Sequence, residues 1–298
     1  MKYLIFLPAA ALICLLPGLV FCIAALRRRR PRPGKGGGPK SFRMERDWLK
    51  AAPQQNVYIR SRDGLKLRAR LIENGENRRF AILCHGYRAH SASMAGYAKG
   101  FFERGWSVLL PDARAHGESE GRWIGMGWPE RLDLLDWIAE LNRRYAAPEI
   151  ALMGVSMGGA TVMNAAGEAL PENVRCVIED CGFCSLRDEL IWQLRADRHL
   201  PAWPFLRSAA PLCRLLAGYS PLRDGDGCAQ LSRCHLPVLF IHGESDRFVP
   251  PEMLDRAYAA AAGPKQSYLA PGAAHAESVC ADPDAYWAQI DAFLGRWA

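Results

Sequence analysis

The chain has 298 residues, of which 50% are hydrophobic and 23% are charged. These values are ordinary for a globular protein, and they exclude disordered, collagen-like and coiled-coil chains. The net charge of +7 comes from residues 1–40, which hold eight basic residues and no acid, so residues 41–298 carry a net charge of −1. Because this larger part is nearly neutral, the charge gives no reason to expect a nucleic-acid partner.

The N-terminal part contains an uncharged, mostly apolar run, Tyr3–Leu26. About 20 apolar residues cross a bilayer as a helix, so the run is long enough to span a membrane. One lysine precedes it and seven basic residues follow it, which favours a retained transmembrane anchor over a cleaved signal peptide or a buried helix. The positive-inside rule then predicts a single-pass protein of the cell membrane with its folded domain in the cytoplasm. The predicted parts are the anchor (1–26), a basic Gly/Pro linker (27–40) and the folded domain (41–298).

Short apolar runs alternate with helical patterns from residue 80 onward. Most of these runs are nearly continuous in apolar residues, as expected of strands that are covered on both faces in a parallel sheet. The alternation predicts an α/β fold with a mostly parallel central sheet and helices on both faces, preceded by a hairpin around Ser61–Gly64. The predicted strands are 57–60, 65–72, 80–84, 106–110, 149–153, 174–179, 237–242 and 266–269, and the predicted helices are 93–104, 129–145, 157–169, 251–262 and 282–296.

One connection is too long for a simple crossover. Residues 181–236 separate two predicted strands and contain Trp192 and Trp203. Ser185 and Asp188 have the spacing of a capping box, which predicts the start of a helix. An insertion after the carboxyl end of a strand lies over the ligand crevice of an α/β enzyme. We therefore expect a helical cap insertion that serves as a lid, the alternative being that it only adds packing volume.

The pattern Gly-x-Ser-x-Gly occurs twice, around Ser119 and around Ser156. Only Ser156 stands directly between a predicted strand and a small-residue helix, which is the context of a nucleophile elbow. Glycines at such a turn let the strand and the helix approach closely. Ser156 is therefore the predicted nucleophile and Ser119 is predicted to lie in a loop. The alternative for the elbow, a phosphate-binding loop, lacks the Lys-Ser/Thr pair that binds phosphate.

A serine hydroxyl needs a general base, and the base needs an acid that orients it. In the chain order Ser-Asp-His, His275 follows the last predicted strand and is the best placed of seven histidines. Asp246 follows the penultimate strand and is the predicted acid. Asp180 and Asp112 are the competing candidates for that role.

Two backbone N–H groups are predicted to form an oxyanion hole. One belongs to Met157, directly after the nucleophile, and the other to Tyr87, in the loop after the strand 80–84. Gly86 lets the backbone turn at this loop. His85 is interpreted as a support of the loop, with a direct catalytic role as the alternative.

The cysteines do not indicate a metal or redox site. Cys181 and Cys184 form a lone C-x-x-C pair, which supplies too few ligands for a zinc site. The predicted cytoplasmic location favours reduced thiols. We expect neither a metal nor a cofactor.

Taken in order, these motifs resemble those of the α/β-hydrolase superfamily over essentially all of 56–298. The chain looks most like membrane-tethered bacterial members related to serine aminopeptidase-like and bile-acid acyltransferase-like hydrolases. It departs from many members at Ala115, where they carry glycine, and this changes a loop without touching the triad. The resemblance rests on His85-Gly86, on the Asp-x-Arg-x-x-Gly-x-Ser loop of 112–119, on Gly154–Gly158, on His242-Gly-x-x-Asp246 and on His275.

The resemblance implies a serine hydrolase that cleaves carboxylic esters or related acyl compounds through a Ser-Asp-His triad and an acyl-enzyme intermediate. Peptidase, thioesterase and acyltransferase activities would use the same residues and stay open. A hypothesis of a different class is a catalytically silent scaffold or sensor tethered to the membrane. The Trp-containing insertion and the predicted anchor suggest a small-molecule or lipid-like acyl substrate, and the sequence leaves the oligomeric state open.

Overall fold

The computed structural model describes residues 15–28, 43–75 and 78–298. One eight-stranded sheet forms the centre of this part of the chain. Its strands are β1 (Gln54–Arg60), β2 (Lys66–Ile72), β3 (Arg79–Cys84), β4 (Ser107–Pro111), β5 (Glu149–Val155), β6 (Val174–Asp180), β7 (Val238–Gly243) and β8 (Lys265–Ala270). Their order is β1-β2-β4-β3-β5-β6-β7-β8. The β1–β2 and β2–β4 pairs are antiparallel and the other pairs are parallel.

Helices cover both faces of this sheet. Successive side chains of a strand point to opposite faces, and in β3 Phe80 and Ile82 belong to one buried hydrophobic cluster while Ala81 and Leu83 belong to another. This confirms the predicted mostly parallel sheet with helices on both faces. The helices are α1 (Arg43–Ala51), α2 (Ala95–Glu103), α3 (Pro129–Arg144), α4 (Met157–Ala166), α5 (Leu186–Trp192), α6 (Ala202–Ala217), α7 (Gly227–Leu231), α8 (Glu252–Ala260), α9 (Ser278–Ala281) and α10 (Pro283–Trp297).

Residues 15–28, called the N-terminal segment below, include half of the predicted membrane anchor. Residues 15–21 are α-helical and continue into a π-helical turn, Cys22–Leu26. No helix within 15–28, 43–75 and 78–298 is long and apolar enough to cross a membrane, and residues 1–14 lie outside the described residues. The prediction of a transmembrane helix is therefore not supported for the described half of the run. The described helical stretch covers only residues 15–26, and within it Cys22 and Leu26 are buried against the folded domain.

Arg28 belongs to the predicted basic linker and contacts the folded domain. Its guanidinium group donates hydrogen bonds to the backbone carbonyls of Ser119, at 2.7 Å, and Gly117, at 2.8 Å. Residues 29–42, which include the rest of the predicted linker, lie outside the described residues. The N-terminal segment is thus fixed to the domain at its last described residue.

The cap insertion, residues 181–236, contains α5, α6 and α7. The side chain of Ser185 accepts a hydrogen bond from the N–H of Asp188 at 3.3 Å, so α5 begins where the sequence predicts. The insertion joins the end of β6 to the start of β7. It therefore leaves the sheet at the carboxyl edge, on the side of the elbow that follows β5, and returns to the opposite edge, because β6 and β7 are parallel.

Candidate active site

Ser156 occupies a sharp turn between β5 and α4. Its backbone has φ 58° and ψ −117°, a conformation that L-residues rarely adopt. Such a backbone conformation costs about 1–3 kcal/mol and persists only where the surrounding structure holds it in place. The flanking glycines allow the close approach: a Cβ on Gly154 would lie 2.0 Å from the Gly158 carbonyl oxygen, and a Cβ on Gly158 would lie 2.0 Å from the Cys84 carbonyl oxygen. The close packing of strand against helix therefore holds Ser156 in a sharp strand-to-helix turn at the carboxyl end of β5.

The structure brings Ser156, His275 and Asp246 into one hydrogen-bonded chain. His275 Nδ1 lies 2.7 Å from Asp246 Oδ2, and His275 Nε2 lies 2.9 Å from Ser156 Oγ. With a proton on Nδ1, the imidazole donates to the carboxylate and accepts the serine O–H. This is the arrangement in which His275 can take the proton of Ser156 as a general base.

Asp246 is held as a carboxylate. Burial alone would raise its pKa, but hydrogen bonds involving His242 and His275 outweigh burial and lower the pKa to about 2. The backbone N–H groups of Phe248 and Val249 also donate to Oδ1, at 2.8 and 3.0 Å. The acid therefore stays charged and correctly oriented over the whole pH range in which a histidine base works.

The competing acids have other partners. Asp180 accepts hydrogen bonds from Tyr286 Oη at 2.9 Å and Ser278 Oγ at 3.2 Å. Asp112 forms a buried ion pair with Arg68, with Nη1 and Oδ2 3.0 Å apart. Neither carboxylate has a hydrogen bond to His275 among the described contacts.

The second Gly-x-Ser-x-Gly pattern is structural. Ser119 is fully buried, donates from Oγ to the Asp112 carbonyl at 2.6 Å and accepts from the Arg68 N–H at 2.9 Å. Its one hydroxyl proton is therefore donated to a backbone carbonyl, and among the described contacts no histidine accepts it. The prediction that Ser119 lies in a loop agrees with the structure.

The two predicted oxyanion donors flank the nucleophile. Met157 is the first residue of α4, so its N–H belongs to the helix turn that has no intrahelical acceptor. The Gly86–Tyr87 turn also lies next to Ser156, since a Cβ on Gly86 would be 3.3 Å from Ser156 Cβ. His85 supports this turn: its Nδ1 bonds to the Gly86 carbonyl at 2.8 Å and its Nε2 accepts the Ala113 N–H at 3.0 Å. Burial lowers the pKa of His85, which keeps the imidazole neutral for this role.

Two cavities meet at Ser156. The larger cavity has a volume of about 250 Å³ and is lined by residues of the cap insertion and of the N-terminal segment. The smaller cavity has a volume of about 190 Å³, and His275 is one of the residues that line it. The larger is mainly apolar but includes the carboxyl group of Glu189, whose pKa burial raises to about 8. Lining side chains of the larger cavity include Phe21, Ala25, Phe183, Leu190, Leu194, Phe205 and Phe248, and those of the smaller include Ser93, Met94, Tyr97 and Ala276.

A cysteine thiol, that of Cys181, lies beside the triad. Ligand atoms of Cys181, Asp246 and His275 lie within 4.8 Å of one another. The geometry would admit a soft cation, but Asp246 and His275 already bond to each other and His275 also bonds to Ser156. Burial raises the pKa of the Cys181 thiol well above its usual range, which keeps this atom protonated and a poor metal ligand. The residues therefore fit the triad better than a metal centre.

Sequence reasoning missed the residues that shape the larger cavity. Phe21 and Ala25 come from the N-terminal segment, and Phe248 lies with its ring centroid 4.7 Å from that of His275. Phe248 could have been suspected because it follows Asp246 by two residues. No local pattern points to Phe21 or Ala25, because their position depends on contacts with residues far away in the chain.

Several known proteins are similar to this chain. Residues 75–217 match the family described as serine aminopeptidase, S33. The Bacillus subtilis protein YqkD is 33% identical over 214 residues, which cover 72% of this chain and 70% of YqkD. The thiohydrolase aneE of Aspergillus aculeatus is 36% identical over 142 residues, which cover 45% of this chain and 44% of aneE. The solved structure of the Pyrococcus furiosus esterase Pf2001 has the same fold, with a TM-score of 0.69 at 23% identity over 92% of this chain and 99% of the esterase.

Proposed function

Since this chain belongs to the serine aminopeptidase S33 family of α/β-hydrolases, we propose that it cleaves carboxylic esters or related acyl compounds with Ser156 as the nucleophile. That it is a hydrolase of this fold follows from the family match and the structural neighbours. The observation that carries the finer proposal is the hydrogen-bonded chain Ser156–His275–Asp246 at the meeting point of two cavities.

In the proposed reaction, His275 Nε2 takes the proton of Ser156 while Oγ attacks the acyl carbon. The Asp246 carboxylate stabilises the imidazolium ion that forms. The N–H groups of Tyr87 and Met157 bind the oxyanion, and each such donor is worth about 3 kcal/mol in the transition state. The proton then passes from Nε2 to the leaving group as its bond to the acyl carbon breaks. Water, deprotonated by the same nitrogen, hydrolyses the acyl-enzyme and restores the serine.

A substrate panel with the full-length protein tests this proposal. It compares p-nitrophenyl esters, the matching thioesters and aminoacyl p-nitroanilides, each with wild type and Ser156→Ala. We expect ester turnover in the wild type and a loss of at least about 10⁴-fold in kcat/KM in the variant. Turnover that survives Ser156→Ala would refute the nucleophile. A folded wild type inactive on every substrate would favour the scaffold or sensor hypothesis.

Thioester cleavage is the second candidate, favoured by the similarity to the thiohydrolase aneE. The attacking group and the oxyanion donors would be unchanged, and a thiol leaving group needs less help from His275 because it leaves as a weaker base. A higher kcat/KM for the thioester than for the matching ester in the same panel would establish this second candidate over the first.

We also propose that the protein is held at the cell membrane through its N-terminal run, with the hydrolase domain on the cytoplasmic side. Large apolar side chains remain exposed on the described part of the run, at Leu16, Leu19 and Ile23. Fractionation of cells that express the full chain should recover it with the membranes. Recovery of the wild type in the soluble fraction would contradict this location.

A further inference from the structure

We propose that the larger cavity binds the acyl chain of the substrate and that the N-terminal segment forms one wall of this acyl site, with Phe21 limiting the length of chain accepted. The proposal rests on the proposed serine hydrolase function, and it assigns to the predicted membrane anchor a role in substrate selection.

The position of His275 decides which cavity takes which half of the substrate. Both cavities include Ser156, but only the smaller includes His275. During acylation a bond forms between Ser156 Oγ and the acyl carbon, and the proton on His275 Nε2 goes to the leaving-group atom as its bond to that carbon breaks. The leaving group must therefore lie on the side of His275, in the smaller cavity. The acyl group stays attached to Ser156 and lies in the larger one.

The walls of the larger cavity suit a hydrocarbon chain. Phe21 and Ala25 line the cavity together with Leu190, Leu194 and Phe205 of the cap insertion. Burial of apolar area stabilises binding by about 25 cal/mol per Å², so each added methylene favours binding until the chain meets the far wall. Phe21 is the largest side chain that the N-terminal segment contributes to this cavity.

Hydrogen bonds from the body of the domain hold the N-terminal segment in this position. The Tyr87 hydroxyl donates to the Ala25 carbonyl, and the Arg88 guanidinium group donates to the Ala24 carbonyl. The Ile124 N–H donates to the Leu26 carbonyl at 2.7 Å. Because Tyr87 also supplies a proposed oxyanion donor, the wall is tied directly to the reaction centre.

The N-terminal segment is also packed against the cap insertion. Cys22 Sγ lies 3.3 Å from Cys213 Sγ. A Cβ on Gly18 would lie 2.3 Å from the backbone of Ser208 and Ala209, so the helix backbones are in close contact here. Contacts to both the cap insertion and the body make the segment an integral wall of the cavity.

Chain-length profiles of the full-length protein test the proposal. We would measure kcat/KM for p-nitrophenyl esters of two to sixteen carbons in one detergent. Phe21→Ala should raise the ratio of long-chain to two-carbon kcat/KM about tenfold, because it removes the limiting side chain. Ala25→Leu should lower that ratio by a similar factor, because it fills part of the cavity. The matched control is Ile23→Ala on the same segment, which does not line the cavity and should leave the profile unchanged.

For the proposal to hold, Phe21→Ala must raise the ratio of long-chain to two-carbon kcat/KM and Ala25→Leu must lower it. If both retain two-carbon ester turnover and neither changes the ratio, the assignment of the wall is overturned while the hydrolase function stands. An equal change of the kcat/KM ratio in Ile23→Ala would also overturn the assignment of the wall, since contact with detergent or membrane would then account for the effect. If the wild type turned over none of the esters, that result would instead refute the proposed function.

Discussion

At the scale of single residues, the site depends on which hydrogen bonds each polar group has already made. Two serines share one sequence pattern, yet Ser119 is enclosed by Asp112 and Arg68 while Ser156 has His275 as its partner. Backbone strain at Ser156 is offset by the packing that produces it. The proposed nucleophile is the serine whose hydroxyl contacts a base, and the sequence pattern alone does not identify that contact.

Asp246→Asn should lower kcat by about 10⁴-fold with little effect on folding, because the amide cannot hold His275 in the tautomer that accepts the serine proton. The measurement is kcat for a short p-nitrophenyl ester, with circular dichroism to confirm the fold. Asp180→Asn changes the competing acid and should leave more activity than Asp246→Asn. A larger loss in Asp180→Asn would show that the acid has been assigned wrongly.

The sequence predicts Asp246 as the acid but keeps Asp180 as a competitor, for a physical reason. Asp180 and Asp246 both follow strands at the carboxyl edge of a parallel sheet, so both are expected near the nucleophile. The structure separates them by contacts that are distant in sequence: Tyr286 and Ser278 bond to Asp180. The sequence pattern predicts that both aspartates lie at the carboxyl edge of the sheet. Contacts with residues distant in sequence determine which groups each of them hydrogen-bonds to.

At the scale of elements, the strands and helices could be read from sequence because their signals are local. Continuous apolar runs predicted the buried strands, and the Gly-x-Ser-x-Gly pattern predicted the turn between β5 and α4. The N-terminal segment differs, because an apolar helix is stabilised by a bilayer and by a hydrophobic cavity for the same reason. Composition therefore predicts that residues 15–26 leave water, and only contacts such as those of Cys22 show what they pack against.

Gly154→Ala should destabilise the protein by about 3 kcal/mol, because the added Cβ would lie 2.0 Å from the Gly158 carbonyl oxygen and force β5 away from α4. Gly295→Ala is the matched control. It lies in α10 with no atom within 4 Å of the added Cβ, so it should be neutral or slightly stabilising. Urea unfolding of the two variants measures the difference. Equal stabilities would contradict the close packing at the elbow.

At the scale of the whole molecule, two carboxyl groups buried near the site make the free energy of unfolding fall as the pH rises. Burial raises the pKa of Glu179 and of Glu189 to about 8, compared with an ordinary value of 4.5. Each is therefore protonated in the folded protein at pH values where the unfolded chain is ionised. Their contribution to stability is complete below pH 4.5 and is lost as the pH rises through 8.

Glu179→Gln should flatten the pH dependence of stability between pH 5 and 8. In the wild type this one group lowers the free energy of unfolding by about 1.4 kcal/mol per pH unit in that window, and glutamine does not ionise. Urea unfolding of both proteins at several pH values measures the slopes. Parallel slopes would show that Glu179 is ionised in the folded protein.

The central claim is that Ser156 is the nucleophile, and a covalent label tests it most directly. The full-length protein would be treated with a fluorophosphonate, digested with trypsin and analysed by mass spectrometry. The two Gly-x-Ser-x-Gly serines fall in different peptides, 145–175 for Ser156 and 115–122 for Ser119. We predict the label on Ser156 alone, and its loss in Ser156→Ala. A label on Ser119, or a folded protein that takes no label, would contradict the account.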